Sequence, residues 1–213
     1  MKKISDEKYL EIQIDLAKKI LPFDKLPDFM KELFYEFAIF RNELAKESDR
    51  GCALLASSYI DYLLTRLLEK KLIGSKTHKK QLFLPNGPLG SFSSKILLCY
   101  SMGLIAKNTM NDINIIRKIR NEFGHSPKII SFENPKINLL CKEFIYTTRT
   151  TSSNREKYLS IISVIAAPIQ KSIMFENPFT ESDNSKIDKA VEYLRKFDHD
   201  LSTEISKELK KYE

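Results

Sequence analysis

Glycine and proline are scarce in this chain, six and eight among 213 residues. That scarcity favours long helices over a sheet with many turns. Cysteine is scarcer still: Cys52, Cys99 and Cys141 lie far apart among apolar neighbours. An odd, scattered set excludes a disulfide framework and lacks the close pairs of a structural zinc site, so buried, inert thiols are expected. No apolar run approaches the roughly 20 residues that cross a bilayer. "REKYLSIISVIAAPIQKSIM" comes nearest but reads as too short and too charged at both ends. The opening "MKKISDEKYLEIQ" has two lysines with no apolar stretch behind them, unlike a secretory signal. A cytoplasmic protein without membrane contact is expected. Also missing are a GxxxxGK[ST] loop, an HExxH pair, a dinucleotide glycine pattern and a nucleophile elbow, which disfavours nucleotide hydrolysis, metalloprotease, oxidoreductase and serine-hydrolase chemistry. No metal and no cofactor is expected.

What is present is ordinary in amount and uneven in placement. Hydrophobic residues make up 42% and charged residues 30%, with a net charge of +7. Such mild basicity decides little, but its clustering is informative. The densest cluster is "EKKLIGSKTHKKQ", where Lys76, Lys79 and Lys80 follow Lys70 and Lys71 around Gly74 and His78. It reads either as a solvated, mobile loop or as a loop that contacts phosphates.

Apolar spacing is helical nearly throughout, so the fold class is an all-α helical bundle. Ser5, with Asp6 and Glu7 behind it, starts a first helix, and Pro27 opens a second. The third, from about Asp49, carries Leu55, Tyr59, Ile60, Leu63, Leu64, Leu67 and Leu68 over so much of its circumference that it is expected at the centre. Asp49 is its expected N-cap. Ser91 caps "FSSKILLCYSM", which Gly103 ends, and Asn108 caps the helix after it. Pro168 should kink the late apolar helix. Ile187, Val191, Leu194, Phe197, Leu201, Ile205 and Leu209 recur at steps of three and four, giving a long amphipathic helix that packs on the bundle or mediates self-association. The organisation is an N-terminal helical extension over residues 1–35, a main domain over 36–177 and a C-terminal amphipathic helix over 183–213.

The helix that ends in "IRKIRNEFGHSP" holds the candidate site. At about 100° per residue, Arg120 falls inside the arc between Ile116 and Ile113. A guanidinium on an apolar side needs a carboxylate or an anionic ligand. Arg117, Asn121 and His125 form a neighbouring row at steps of four. Together these side chains offer two guanidiniums, an amide and an imidazole near one helix end, and Gly124 would loosen the last turn so that His125 swings toward Arg120. A fixed arginine stabilises phosphate charge, and a histidine moves a proton near neutral pH. The structural alternative stands beside this: arginine and histidine also complement a helix C-terminus. Glu47, Asp49 and Arg50 form a charged knot entering the third helix, explained first by Asp49 as N-cap and, as the alternative, by a role in holding Arg117 or Arg120. Asp61 is a further salt-bridge candidate.

Three blocks, "ESDRGCALLASSYID", "NGPLGSFSSKI" and "IRKIRNEFGHS", resemble in order the mannitol operon repressor family of bacterial proteins, and "INLLC" with "REKYLSIISVIAAPI" is similar to its C-terminal helices. Gly124 stands where that family usually has alanine. Arg120, Asn121 and His125 also resemble the Arg-Asn-x3-His signature of the HEPN superfamily, small helical bundles that are commonly dimeric. The resemblance implies a HEPN-like core, a homodimer and one of two functions. The first is a regulator with no helix-turn-helix of its own, acting through a regulatory protein or RNA. The second is a metal-independent endoribonuclease, in which His125 moves the proton, Arg120 holds the scissile phosphate, Asn121 orients, and Arg117, Lys76, Lys79 and Lys80 bind the nucleic-acid backbone.

Overall fold

The computed structural model describes residues 11–12, 14–15, 18–19, 23–25, 27–146, 153–181 and 185–209. The expected start of the first helix at Ser5 lies outside them. Two compact units divide the chain, Met1–Pro178 and Phe179–Glu213.

The first unit contains a short 3-10 turn, Phe23–Lys25, and helices α1 (Asp28–Lys46), α2 (Asp49–Lys71), α3 (Lys76–Leu82), α4 (Phe92–Ser101), α5 (Lys107–His125), α6 (Pro135–Lys142) and α7 (Asn154–Phe175). Among the described residues there is no strand, so the fold is all-α. The second unit contributes one long helix, α8 (Ser185–Leu209), whose Ile187, Val191, Leu194, Phe197, Leu201 and Ile205 are exposed. The side chain of Leu209 lies outside the described residues.

Helix α2 is central and packs against α1, α4, α5 and α7. Its N-terminal half buries the small Cys52, Ala53 and Ala56, and its C-terminal half buries Ile60, Leu63, Leu64, Leu67 and Leu68. The small half leaves room for an aromatic row: Phe123 and Phe132 stand edge to face at 5.0 Å, and Phe132 lies 5.2 Å from Tyr158. The Tyr158 hydroxyl, wholly buried, donates to the Ala53 carbonyl at 3.1 Å, which satisfies the polar end of the ring. Leu55, expected in the core, is 48% exposed, on the same stripe of α2 as the exposed Ser58 and Tyr62.

Short polar residues set most helix starts. Ser48 rather than Asp49 caps α2, accepting from the Gly51 N–H at 3.0 Å. Ser91 caps α4 and Asn134 caps α6, where Pro135 occupies the first turn. Ser153 and Glu156 exchange hydrogen bonds in a capping box at the head of α7. The start of α5 departs from the sequence reading. Ala106 holds the cap position without a side-chain bond, and Asn108 lies inside the first turn.

Helix α7 runs unbroken through Pro168. By length and composition it is long and apolar enough to cross a membrane, contrary to the sequence reading. Its apolar face is nevertheless spent on the core: Tyr158, Leu159, Ile161, Ile162, Ile165, Ala166 and Ile169 are buried. Each buried leucine or isoleucine among them contributes roughly 1.5–3 kcal/mol. On the facing side Ile113, Ile116, Ile119 and Phe123 of α5 are fully buried. Truncating Ile116 to alanine at this seam would cost roughly 2–5 kcal/mol.

Candidate anion site between three helices

The apolar stripe of α5 turns its flank, and with it Arg117, Arg120 and Asn121, toward a pocket of about 370 Å³. One wall is α2, through Ser57, Ser58 and Asp61. The other is the entry to α4, from Gly90 to Ser93. Gly90 is required there: a Cβ would sit 2.2 Å from the Leu84 carbonyl oxygen and 2.7 Å from that of Pro85. Its loop folds back on itself through Leu89 N–H to the Leu82 carbonyl at 2.8 Å and Gly87 N–H to the Leu84 carbonyl at 2.7 Å. This close approach brings Ser91, the cap of α4, to the pocket. The Ser91 hydroxyl meets those of Ser93 at 3.0 Å and Ser94 at 2.6 Å and accepts from the Ser94 N–H at 3.0 Å.

Arg120 does not sit in the core. Its long side chain starts at the edge of the apolar arc and reaches out to solvent, where Nη1 donates to Asn121 Oδ1 at 3.1 Å. Arg117 is half-buried and its Nε points to Asn114 Oδ1 at 3.4 Å. Among the described residues, neither guanidinium meets a carboxylate. Asp61 is already engaged, paired at 2.8 Å with Lys95, whose side chain is only 9% exposed. The pocket therefore keeps two uncompensated positive charges.

His125 is the last residue of α5, exposed, and does not line this pocket. The pocket walls meet α5 in the turns before it. Lys76, Lys79 and Lys80 also lie elsewhere. The segment expected to be a loop is the short helix α3, because Ser75 caps it at the His78 N–H. Lys76 and Lys80 project into solvent, and Lys79 donates to the Glu69 carbonyl at 2.9 Å.

The charged knot serves the scaffold instead of the arginines of α5. Asp49 accepts from Arg155 at 2.7 Å and from the Phe132 N–H at 3.0 Å. Arg50 donates to the carbonyls of Ser126 and Lys128 at 2.8 and 2.7 Å, fixing the chain as it leaves α5. Glu47 offers its backbone carbonyl to Arg155 at 2.6 Å. The spacing of charges could not reveal this, because Arg155 lies more than a hundred residues downstream.

Sequence reasoning passed over Lys95 and the serines of the α4 entry. The signal was present: Lys95 interrupts the apolar face of a short helix, as Arg120 does in α5. It also passed over Asp112, fully buried, whose carboxylate accepts from the N–H groups of Ile145 and Tyr146 at 2.9 and 3.0 Å. The three thiols are buried, and burial pushes Cys52 up to about 11 and Cys99 and Cys141 to about 12. Among the described residues no group of three His, Cys, Asp or Glu side chains converges as a metal site would require.

No curated protein sequence matches the chain significantly. Among solved structures it is similar to the X-ray structure of the MtlR-HPr complex from Escherichia coli, at 18% identity and a TM-score of 0.46. That likeness covers 64% of this chain and 97% of the other. The family comparison is broader in what it decides. The mannitol repressor family matches residues 51–161, from the first turn of α2 into α7, and so takes in every wall of the pocket. Since that segment is more than half of the 213 residues, the chain belongs to the mannitol repressor family.

Proposed function

We propose that this protein is a bacterial cytoplasmic regulator of mannitol-type operons that acts through a protein partner. The observation that carries this reading is the family match over residues 51–161. The helices within it support action through a partner. Helix α2 buries most of its circumference in the core, and the narrow stripe it leaves exposed opens with Leu55, Ser58 and Tyr62, which is not the polar, basic face of a major-groove helix. It presents Leu55 and Tyr62 to solvent on its uncovered side, and α4 presents Leu97 and Tyr100. Exposed apolar and aromatic side chains of this kind suit a protein contact.

The test is a pair of measurements in the organism that carries the chain. Mannitol-operon transcripts are compared with and without the protein, and the purified protein is titrated onto operon DNA. Transcripts should rise on deletion, while the protein alone should bind operon DNA no better than random DNA at 0.15 M salt. Unchanged transcripts would remove the regulator, and tight operator-specific binding by the protein alone would remove the partner. HPr, named in the solved complex, is the first partner to titrate.

The same reading includes a homodimer. Helix α8 repeats apolar residues at heptad spacing, Ile187, Leu194 and Leu201 on one line and Val191 and Ile205 on the next, all exposed. A seam of this period on one helix is matched by the same seam on a second copy. Sedimentation should show a dimer that Leu194→Asp with Leu201→Asp converts to monomer; a monomeric wild type would end this part of the reading.

A further inference from the structure

We propose that the pocket between α2, α4 and α5 binds a small phosphate monoester, its phosphate held by Arg117, Arg120 and the first turn of α4. The inference does not rest on the partner-mediated reading and goes beyond it.

Charge comes first. Asp61 is the carboxylate in the lining, and Lys95 pairs with it, so Arg117 and Arg120 are left to attract an anion. A phosphate monoester carries a charge of about −1.5 to −2 at neutral pH, matching two guanidiniums. Arginine presents a fork of donors that suits phosphate oxygens.

Geometry adds donors that carry no formal charge. Phe92 and Ser93 are the first two residues of α4, so their N–H groups have no acceptor within the helix, and both residues line the pocket. The positive end of the α4 dipole falls at the same wall. Asn121 accepts from Arg120 through Oδ1, which leaves its amide N–H₂ to donate. Two guanidiniums, an amide and an open helix N-terminus thus line one cavity from two different helices.

Size decides between a bare ion and an ester. At about 370 Å³ the pocket is far larger than a phosphate group, and its remaining wall carries the exposed Ser58 and the buried Ser57. The Ser57 hydroxyl donates to the Leu54 carbonyl at 2.9 Å and keeps only its acceptor side for a ligand. The two serine hydroxyls suit a hydroxylated body attached to the phosphate. A phosphorylated side chain of a partner protein has the same head group, and it is the competing occupant that the titration separates from the small ester.

The full-length protein is titrated with glycerol 3-phosphate, inorganic phosphate and a phosphoserine peptide, read by calorimetry and by amide NMR shifts. Glycerol 3-phosphate should saturate, move the Phe92 and Ser93 amides and bind at least ten times more tightly than either other probe. Arg117→Gln with Arg120→Gln should weaken it at least tenfold with little change in melting temperature, since Arg120 is exposed and Arg117, half-buried, gives up only a 3.4 Å bond to Asn114. Conservative Arg120→Lys should recover part of the loss. Unmoved Phe92 and Ser93 amides, or equal binding by the double variant, would overturn the site. Inorganic phosphate binding as tightly as the ester, or the peptide binding more tightly, would overturn the ligand class.

Discussion

Arg155 and Asp49 are 106 residues apart in sequence and 2.7 Å apart in the fold. The same guanidinium donates to the carbonyls of Leu44 at 2.9 Å, Ala45 at 3.2 Å and Glu47 at 2.6 Å, so it closes the C-terminal end of α1 while gripping the first residue of α2. Helix ends leave such carbonyls without partners, and one planar cation satisfies several at once. Arg155→Ala should therefore cost about 2–3 kcal/mol, because hydrogen bonds to charged groups are each worth more than neutral ones. Arg155→Lys should recover less than half, since an ammonium lacks the planar fork. Urea unfolding of both variants gives the two numbers, and a loss below 0.5 kcal/mol, roughly that of an exposed pair, would show the junction to be ornamental.

That junction also marks where sequence reading stops. Helices and their apolar faces are local signals, and α2 at the centre follows from the number of apolar positions it carries. Caps within three residues, such as Ser91 and Ser94, are equally local. Arg120 shows the limit: a helical wheel places its Cα inside the apolar arc, but the wheel does not know that a long side chain can run past the arc's edge into water. The roles of Asp49 and Arg50 were illegible for another reason. Their partners, Arg155, Phe132, Ser126 and Lys128, come from segments that only the tertiary fold brings together. The pocket was half legible, since α5 supplied Arg117, Arg120 and Asn121, while its α4 wall needed the folded loop at Gly90.

Two glycines should respond in opposite directions to alanine. At Gly124 a Cβ would meet only Leu54 Cδ2, at 3.9 Å, an ordinary contact. Gly124→Ala should stabilise the chain by about 0.5–1 kcal/mol, the helix-propensity difference, nearer the lower figure in a last turn. At Gly90 the new Cβ would press on backbone carbonyls, so Gly90→Ala should destabilise by about 1–3 kcal/mol. Thermal melting of the pair checks both signs. Equal shifts would mean that the loop before α4 relaxes freely.

The cysteines contribute a falling limb to stability in alkali. Unfolded thiols ionise near pH 9, whereas burial holds Cys52 protonated to about 11 and Cys99 and Cys141 to about 12. Above pH 9 the unfolded state binds fewer protons than the folded one, so stability falls as pH rises; below pH 9 the three contribute no slope. Each thiol adds up to roughly 1.4 kcal/mol per pH unit in that window. Cys99→Ala should flatten the decline between pH 9 and 11, although the variant begins lower for its small cavity. A thiol reagent should find none of the three in the native protein at pH 8 and all three in denaturant.

Asp112 is the most exacting of the internal polar contacts. It is fully buried and uses one oxygen for the Ile145 N–H and the other for the Tyr146 N–H. Two acceptors are needed, so an amide cannot replace it: asparagine keeps one oxygen and turns an N–H₂ toward the second backbone donor. An unsatisfied buried donor costs about 1–3 kcal/mol, and the lost charge-assisted bond adds to that. Asp112→Asn should thus destabilise by roughly 2–4 kcal/mol. The effect is local before it is global, because the carboxylate joins α5 to the chain that follows α6. Hydrogen exchange should therefore accelerate first at Ile145 and Tyr146, while Ile116 and Ile119 keep their protection until the whole unit opens. Uniform acceleration across α5 would mean that Asp112 supports the core itself and not the segment it tethers.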